Sequence, residues 1–149
     1  MIDIKYSKAY PCNVLSNLYP NQFTIDGILC ASMEGFLQSL THTDPIQRSF
    51  IVTQYGTMAK KMGNPKWKER GLLYWHGNVY DRHEEEYQDL LDRAYSCLLT
   101  NDTFRKALMD TGTLDITHSI GNRDPLYTIL TEYEFVSRLY LLRHIAHGI

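Results

Sequence analysis

Cysteine is scarce in this sequence: its 149 residues include only Cys12, Cys30 and Cys97. Three widely spaced thiols with no CxxC pair argue against a disulfide framework and a structural zinc site, and they suit reduced thiols in a cytoplasm. Long apolar runs are missing as well. No stretch reaches the ~18 apolar residues of a membrane span, and the N-terminal MIDIKYSKAYPC has no apolar core of a signal peptide. The expectation is a cytoplasmic chain with no membrane partner. Nor is there an excess of basic charge. Lys and Arg number 15 against 17 Asp and Glu, a formal net charge of −2, which speaks against general binding of duplex DNA. Repeats, low-complexity stretches and long linkers are also absent, so residues 1–149 read as one domain. Its length and its 44% apolar composition allow a substantial core.

The elements come next. Asp26-Gly27 at the centre of FTIDGILCA (23–31) is a hairpin turn signal. The preceding PCNVLSNLYPNQ (11–22) reads as a loop. Ser32 is placed to cap a helix carrying Met33, Phe36, Leu37 and Leu40 at i, i+3, i+4 and i+7. Asp44-Pro45 opens a second helix, and GTMAKKMGN (56–64) predicts a short one ended by Gly63 or Asn64. Residues 64–82 read as irregular. Tyr87, Leu90, Leu91, Ala94, Tyr95 and Leu98 form a helical stripe behind the acidic turn Glu84–Glu86. Asn101 caps a further helix with Phe104, Ala107 and Leu108. A possible strand lies within 114–130, followed by the capping box of Thr131 and Glu134. The last helix turns Phe135, Leu139, Leu142 and Ala146 to the core. The fold class is α+β, predominantly helical, with a small N-terminal β-sheet.

The stretch SMEGFLQSLTH (32–42) carries chemistry beside its apolar face. At about 100° per residue, Gln38 and Thr41 fall on the same side as Glu34, in a stripe bordering the core face. Such a stripe can line a cleft. Gly35 has no side chain, so a ligand could approach its backbone closely. A solvated face explains the same residue types without any site. The basic stretch KKMGNPKWKER (60–70) offers Lys60 and Lys61 to phosphates and Trp67 as a stacking face. Tyr19, Trp75 and Tyr127 are further aromatic candidates, each more often used in plain core or rim packing. His118 reads as a structural histidine on a short strand, close to the Ser119–Gly121 turn.

Taken together, LSNLYPNQFTIDG, ASMEGFLQSL and AKKMGNPKW resemble the NADAR family, the YbiA-like N-glycosidases. The matching residues are Ser16-Asn17 with Tyr19-Pro20, Asp26-Gly27, Ser32 with Glu34 and Gln38, and Ala59 with Gly63 and Trp67. The likeness runs from about residue 13 to LYLLR at Arg143. It implies a compact YbiA-like domain that cleaves an N-glycosidic bond. The substrates it implies are an ADP-ribosylated, guanine-type base or a related ribosyl-phosphate nucleotide. It also implies a catalytic carboxylate at Glu34 and ligand contacts from Asn17 and Gln38.

Two departures stand out. Thr41 occupies the position where the family commonly carries a nucleophilic lysine, and a hydroxyl cannot form a Schiff base. The closing Asp-x-x-Trp-Gly pattern is replaced by THSIGNRDP, which offers His118 and Asp124 for proton transfer. The candidate catalytic residues are therefore Glu34, Asp124 and His118. The candidate substrate-binding residues are Asn17, Tyr19, Gly35, Gln38, Thr41, Lys60 and Trp67. No cofactor and no metal is expected. The expected partner is an ADP-ribose-containing nucleotide or an ADP-ribosylated nucleic acid. Two rivals to the enzyme reading are a binding protein that sequesters such a nucleotide without turnover and a protein-interaction module.

Overall fold

The computed structural model describes residues 1–148. Its first strand, β1 (Ile2–Asp3), precedes the short helix α1 (Cys12–Leu15) and the hairpin of β2 (Phe23–Ile25) and β3 (Ile28–Cys30). The hairpin turn is Asp26-Gly27, both with positive φ (50° and 77°), as a two-residue turn of this kind demands. Helices α2 (Met33–Ser39), α3 (Pro45–Ile51), α4 (Gly56–Lys60) and α5 (Trp67–Arg70) follow. A second hairpin, β4 (Leu72–Trp75) with β5 (Asn78–Asp81), leads to α6 (Glu85–Leu98), α7 (Asp102–Asp110), β6 (Ile116–Thr117) and α8 (Glu132–Ala146).

The caps read in the sequence form. Ser32 accepts from the Gly35 amide at 2.9 Å, Asp44 from Ile46, and Asn101 from Phe104. Thr131 and Glu134 close the reciprocal capping box. The predicted apolar stripes of α2, α6 and α7 are all buried, as are Phe135, Leu139 and Leu142 of α8. Each such large side chain contributes roughly 1.5–3 kcal/mol by leaving water. Ala146 is only half-buried, in the last turn of α8.

Four expectations change. The α+β class stands, but there is no single N-terminal sheet: the strands form three separate two-stranded ladders. β1 pairs in parallel with β6, more than a hundred residues away. Strands of two to four residues offer too short an edge to recruit a third. Second, 64–82 is regular. It holds α5 and the β4–β5 hairpin, whose turn places His76 and Gly77 at positive φ. His-Gly is not one of the Asn-Gly or Asp-Gly pairs that mark such a turn, so the turn signal was weak. Third, the 11–22 loop contains α1. Fourth, the 56–64 helix ends at Lys60, with Lys61 as its cap.

Helix α2 lies at the centre. Phe36 packs edge-on against Phe23 and Trp75, with ring centroids 6.1 and 4.8 Å away. On another side, Gly35 lets the end of α3 come close. A Cβ at residue 35 would lie 2.6 Å from the Gln54 carbonyl and 2.9 Å from that of Ile51. The lack of a side chain at Gly35 therefore serves helix packing rather than the approach of a ligand.

Candidate functional site

The polar side of α2 opens into a chamber of about 430 Å³. Glu34 and Gln38 come from α2, Asn17 from the loop after α1, and Lys60 from the end of α4. His118 comes from the residue after β6. Five of the sequence candidates are thus brought into one cavity from four separate stretches of chain. A larger depression of about 470 Å³ lies outside α8, between Tyr133, Val136 and Tyr140. It is almost wholly apolar and lacks such a convergence of polar groups, which is the better sign of a site.

Glu34 is half-buried and lines the chamber. Burial raises its pKa above the ordinary glutamate value. A hydrogen bond from Gln38 and the charge of Lys60 oppose the rise. Gln38 Nε2 donates to Glu34 Oε2 at 2.7 Å. The i, i+4 spacing makes this bond inevitable in direction once the helix forms.

Gly63 sets the position of the Gln38 amide. A Cβ on residue 63 would lie 2.0 Å from Gln38 Oε1, so the chain after α4 presses its bare backbone against that oxygen. Thr41 holds this chain in place. Its hydroxyl donates to the Gln38 carbonyl at 2.7 Å and accepts from the Asn64 amide at 2.8 Å. Thr41 is therefore a buried brace and no nucleophile.

Asn17 is tied twice. Its carbonyl accepts from the Glu34 amide at 2.9 Å, and its Oδ1 accepts from the Tyr95 hydroxyl at 2.8 Å. Its Nδ2 has no partner among the described residues and is left to donate into the chamber. His118 Nδ1 lies 2.8 Å from the Ile4 carbonyl. A carbonyl can only accept, so Nδ1 carries a proton and a neutral ring keeps its lone pair on Nε2. Its ring also meets Phe135 edge-on at 5.0 Å. Lys60 forms no ion pair with any described residue.

The other candidates lie elsewhere. Asp124 is not on the chamber wall. Its Oδ1 accepts from the Leu126 amide, so it shapes the turn before α8, and the adjoining Pro125 fits the same use. Tyr19 packs on the core and meets Tyr6 edge-on at 6.5 Å. Trp67 lines an adjacent outer pocket of about 210 Å³, whose walls include Gln38, Thr41 and Lys60. Lys61 lines neither cavity.

Sequence reasoning missed Lys5 and Tyr6 on the chamber wall. It placed Tyr95 only in a core stripe. A buried tyrosine among Leu and Ala needs a partner for its hydroxyl, and that need was the available signal for Tyr95. Nothing in the sequence marks Lys5.

Comparison with known proteins gives a consistent family. Residues 9–144 match the family of the bacteriophage protein GP30.3. The chain is 32% identical over 148 residues to the uncharacterized 17.1 kDa protein in the Gp30–rIII intergenic region of Enterobacteria phage T4. That alignment covers 95% of this chain and 96% of the phage protein. No solved structure matches. These matches overturn the resemblance to the NADAR family, since a different family accounts for nearly the whole chain. The attributes that rested on that name alone, from the YbiA-like label to the family's substrates, fall with it.

Proposed function

The chain belongs to the bacteriophage protein GP30.3 family, and for this member we propose hydrolysis of the bond between ribose and base nitrogen in a phosphate-bearing nucleotide. The observation that carries the reading is Glu34: a deeply placed carboxylate, held on one oxygen by Gln38, sharing a chamber with an imidazole and an unpaired lysine. The reading stands on this geometry and not on family likeness.

Glu34 would accept a proton from water as that water attacks the anomeric carbon. Its charge would also favour the oxocarbenium-like transition state. The C–N bond breaks with its electron pair passing to the base nitrogen, and a protonated His118 Nε2 supplies the proton that nitrogen takes. Asn17 Nδ2 and Lys60 would hold ribosyl hydroxyl and phosphate oxygens. The two connected cavities are lined by Lys5, Lys60 and Lys68 against the single carboxylate Glu34. That local positive balance, on a chain of net charge −2, would concentrate anionic substrates. Among the described residues no helix is long and apolar enough to cross a membrane. The thiols of Cys12, Cys30 and Cys97 are all unpaired, in keeping with action in the cytoplasm.

A second reading keeps the pocket without the chemistry, and Thr41 favours it, because its hydroxyl already donates to Gln38 and accepts from Asn64 in bracing the chain. One experiment separates the two. Incubation with a panel of ribonucleotides is followed by chromatography for released base. The enzyme reading expects multiple turnover that Glu34→Gln abolishes. It further expects the rate to rise with pH through a Glu34 pKa above the usual ~4.3. Full activity of Glu34→Gln would sink the assigned role. Saturable binding with no release of base would establish the binding protein.

A further inference from the structure

Helix α8 is apolar on two sides. Phe135, Leu139 and Leu142 are buried in the core. At about 100° per residue, Tyr133, Val136, Ser137 and Tyr140 share a second side, and all four line the depression of about 470 Å³ outside the helix. A helix that is apolar all round is normally covered on every side. Here Tyr133 is 80% exposed, and Tyr140 is exposed as well. Tyr140 is nevertheless fixed. Its hydroxyl accepts from the Ile116 amide at 2.8 Å, and the Arg143 guanidinium carbon lies 5.1 Å from its ring centroid. A ring already held in place loses little freedom when a partner covers it.

The row matches itself. Read from either end it runs large, small, small, large, with Tyr133 and Tyr140 outside Val136 and Ser137. Two such helices crossed antiparallel at the midpoint of 136 and 137 set Tyr133 of each copy level with Tyr140 of the other. The small pair at the crossing lets the axes approach. Charge selects the same direction. Glu132 stands in the first turn, and the exposed His144 stands in the last turn on the side of the row. The antiparallel crossing brings Glu132 of one copy within three residues of the level of the other's His144, about 4.5 Å along the axis. An imidazole N–H can donate to the carboxylate there. A parallel crossing would set Glu132 against Glu132, two like charges. The partner of Glu132 within the chain is Arg123, whose side chain is 86% exposed. Such a surface pair is weak, so both groups can turn to the copy. Arg138 and Arg143 are buried, so neither arginine of α8 opposes the approach.

We infer that the outer side of α8 is the docking surface for a second copy of this chain, the two helices crossing antiparallel about a twofold axis between Val136 and Ser137. The fixed Tyr140 and the exposed Tyr133 anchor it, each seated in the depression beside the other copy's helix. The inner side of α8 lines the chamber through Thr131 and Phe135. Docking and chamber therefore use different sides of one helix, and the dimer does not rest on the chemistry proposed for the chamber. Four side chains from each copy make a small interface, at the weaker end of specific association, so the dissociation constant belongs in the micromolar range.

Sedimentation equilibrium of the full chain tests this. The mass should rise from one chain to two between about 1 and 500 μM by mass action. Ser137→Lys sets two like charges beside the axis and should weaken association about tenfold or more. Ser137→Glu should do the same, and an equimolar mixture of the two variants should associate again, since opposite charges then meet. Tyr133→Ala removes an exposed anchor and should weaken association about tenfold; it carries the test alone if circular dichroism shows that the Ser137 variants do not fold. A single-chain mass up to about 500 μM would overturn the proposal, whatever other protein the surface might meet. A dimer that ignores Ser137→Lys and Tyr133→Ala uses another surface and overturns it equally. Folded Ser137→Lys and Ser137→Glu that fail to associate when mixed would remove the twofold axis. Turnover enters none of these readings, so the chamber chemistry stands or falls separately.

Discussion

At the scale of single residues, the site depends on what is missing as much as on what is present. Glu34 was legible from SMEGFLQSLTH because the helical repeat alone sets it beside Gln38. The constraint on Gln38 was not, since Gly63 is 25 positions further along and meets its oxygen only after the chain folds back. The predicted consequence is specific. Gly63→Ala would force the Gln38 amide away, because a Cβ at 2.0 Å from Oε1 cannot be accommodated. Glu34 would lose the 2.7 Å bond that favours its charged form, and its pKa would climb further. The acid limb of the rate profile should then move to higher pH, with turnover reduced about tenfold or more. A pH–rate series on the variant checks this, and an unmoved limb would show that Gln38 does not tune Glu34.

Among the elements, the hairpin β4–β5 and helix α8 are joined by one ion pair that the sequence did not announce. Arg82, just after β5, sends Nη1 and Nη2 to the two oxygens of Glu134 at 3.0 and 2.7 Å. Glu134 also accepts from Gln88 and from the Thr131 amide. In the sequence Glu134 read as half of a capping box, and that reading holds, but the same carboxylate also neutralises an arginine only 1% exposed. Burial pushes the Glu134 pKa up, yet the bonds from Arg82, Thr131 and Gln88 outweigh it and leave the value lowered. A lowered carboxylate pKa adds stability that is complete above the unfolded-state value. That stability disappears as pH falls through the folded-state value. Glu134→Ala should therefore cost about 3–5 kcal/mol at neutral pH, since Arg82 would be left buried without a counter-charge. Urea denaturation should show the deficit shrinking toward acid pH. A loss below about 1 kcal/mol would mean that water replaces the carboxylate at little cost.

On the scale of the whole molecule, the chamber depends on the N-terminal strand meeting a strand more than a hundred residues further along. The parallel pairing of β1 with β6 puts Ile2 opposite Ile116 and Asp3 opposite Thr117. This carries His118 to the Ile4 carbonyl and onto the chamber wall. Asp3 secures the junction. Its carboxylate accepts from both the amide and the hydroxyl of Ser119, and those bonds hold its pKa below the usual range. Asp3→Ala should loosen the 118–121 turn and lower kcat severalfold through His118, with KM little changed. Turnover measurements on this variant, with circular dichroism to check that it is folded, test it. An unchanged kcat in a folded variant would show that Asp3 does not position His118.

The sequence by itself determined the helices, their caps and their buried faces, because each follows from residues within four positions of one another. It also placed Glu34 and Gln38 together, for the same reason. The tertiary structure decided the rest: three short ladders in place of one sheet, the tie of Asn17 to Tyr95, and the entry of His118 in preference to Asp124. It gave Gly35 and Thr41 packing roles that their sequence did not announce. These outcomes depend on contacts between residues far apart in the chain, whose energies are comparable for several arrangements of short strands and loops. No local pattern of residues encodes which arrangement packs without a void or an unpaired polar group, so only the assembled core selects it.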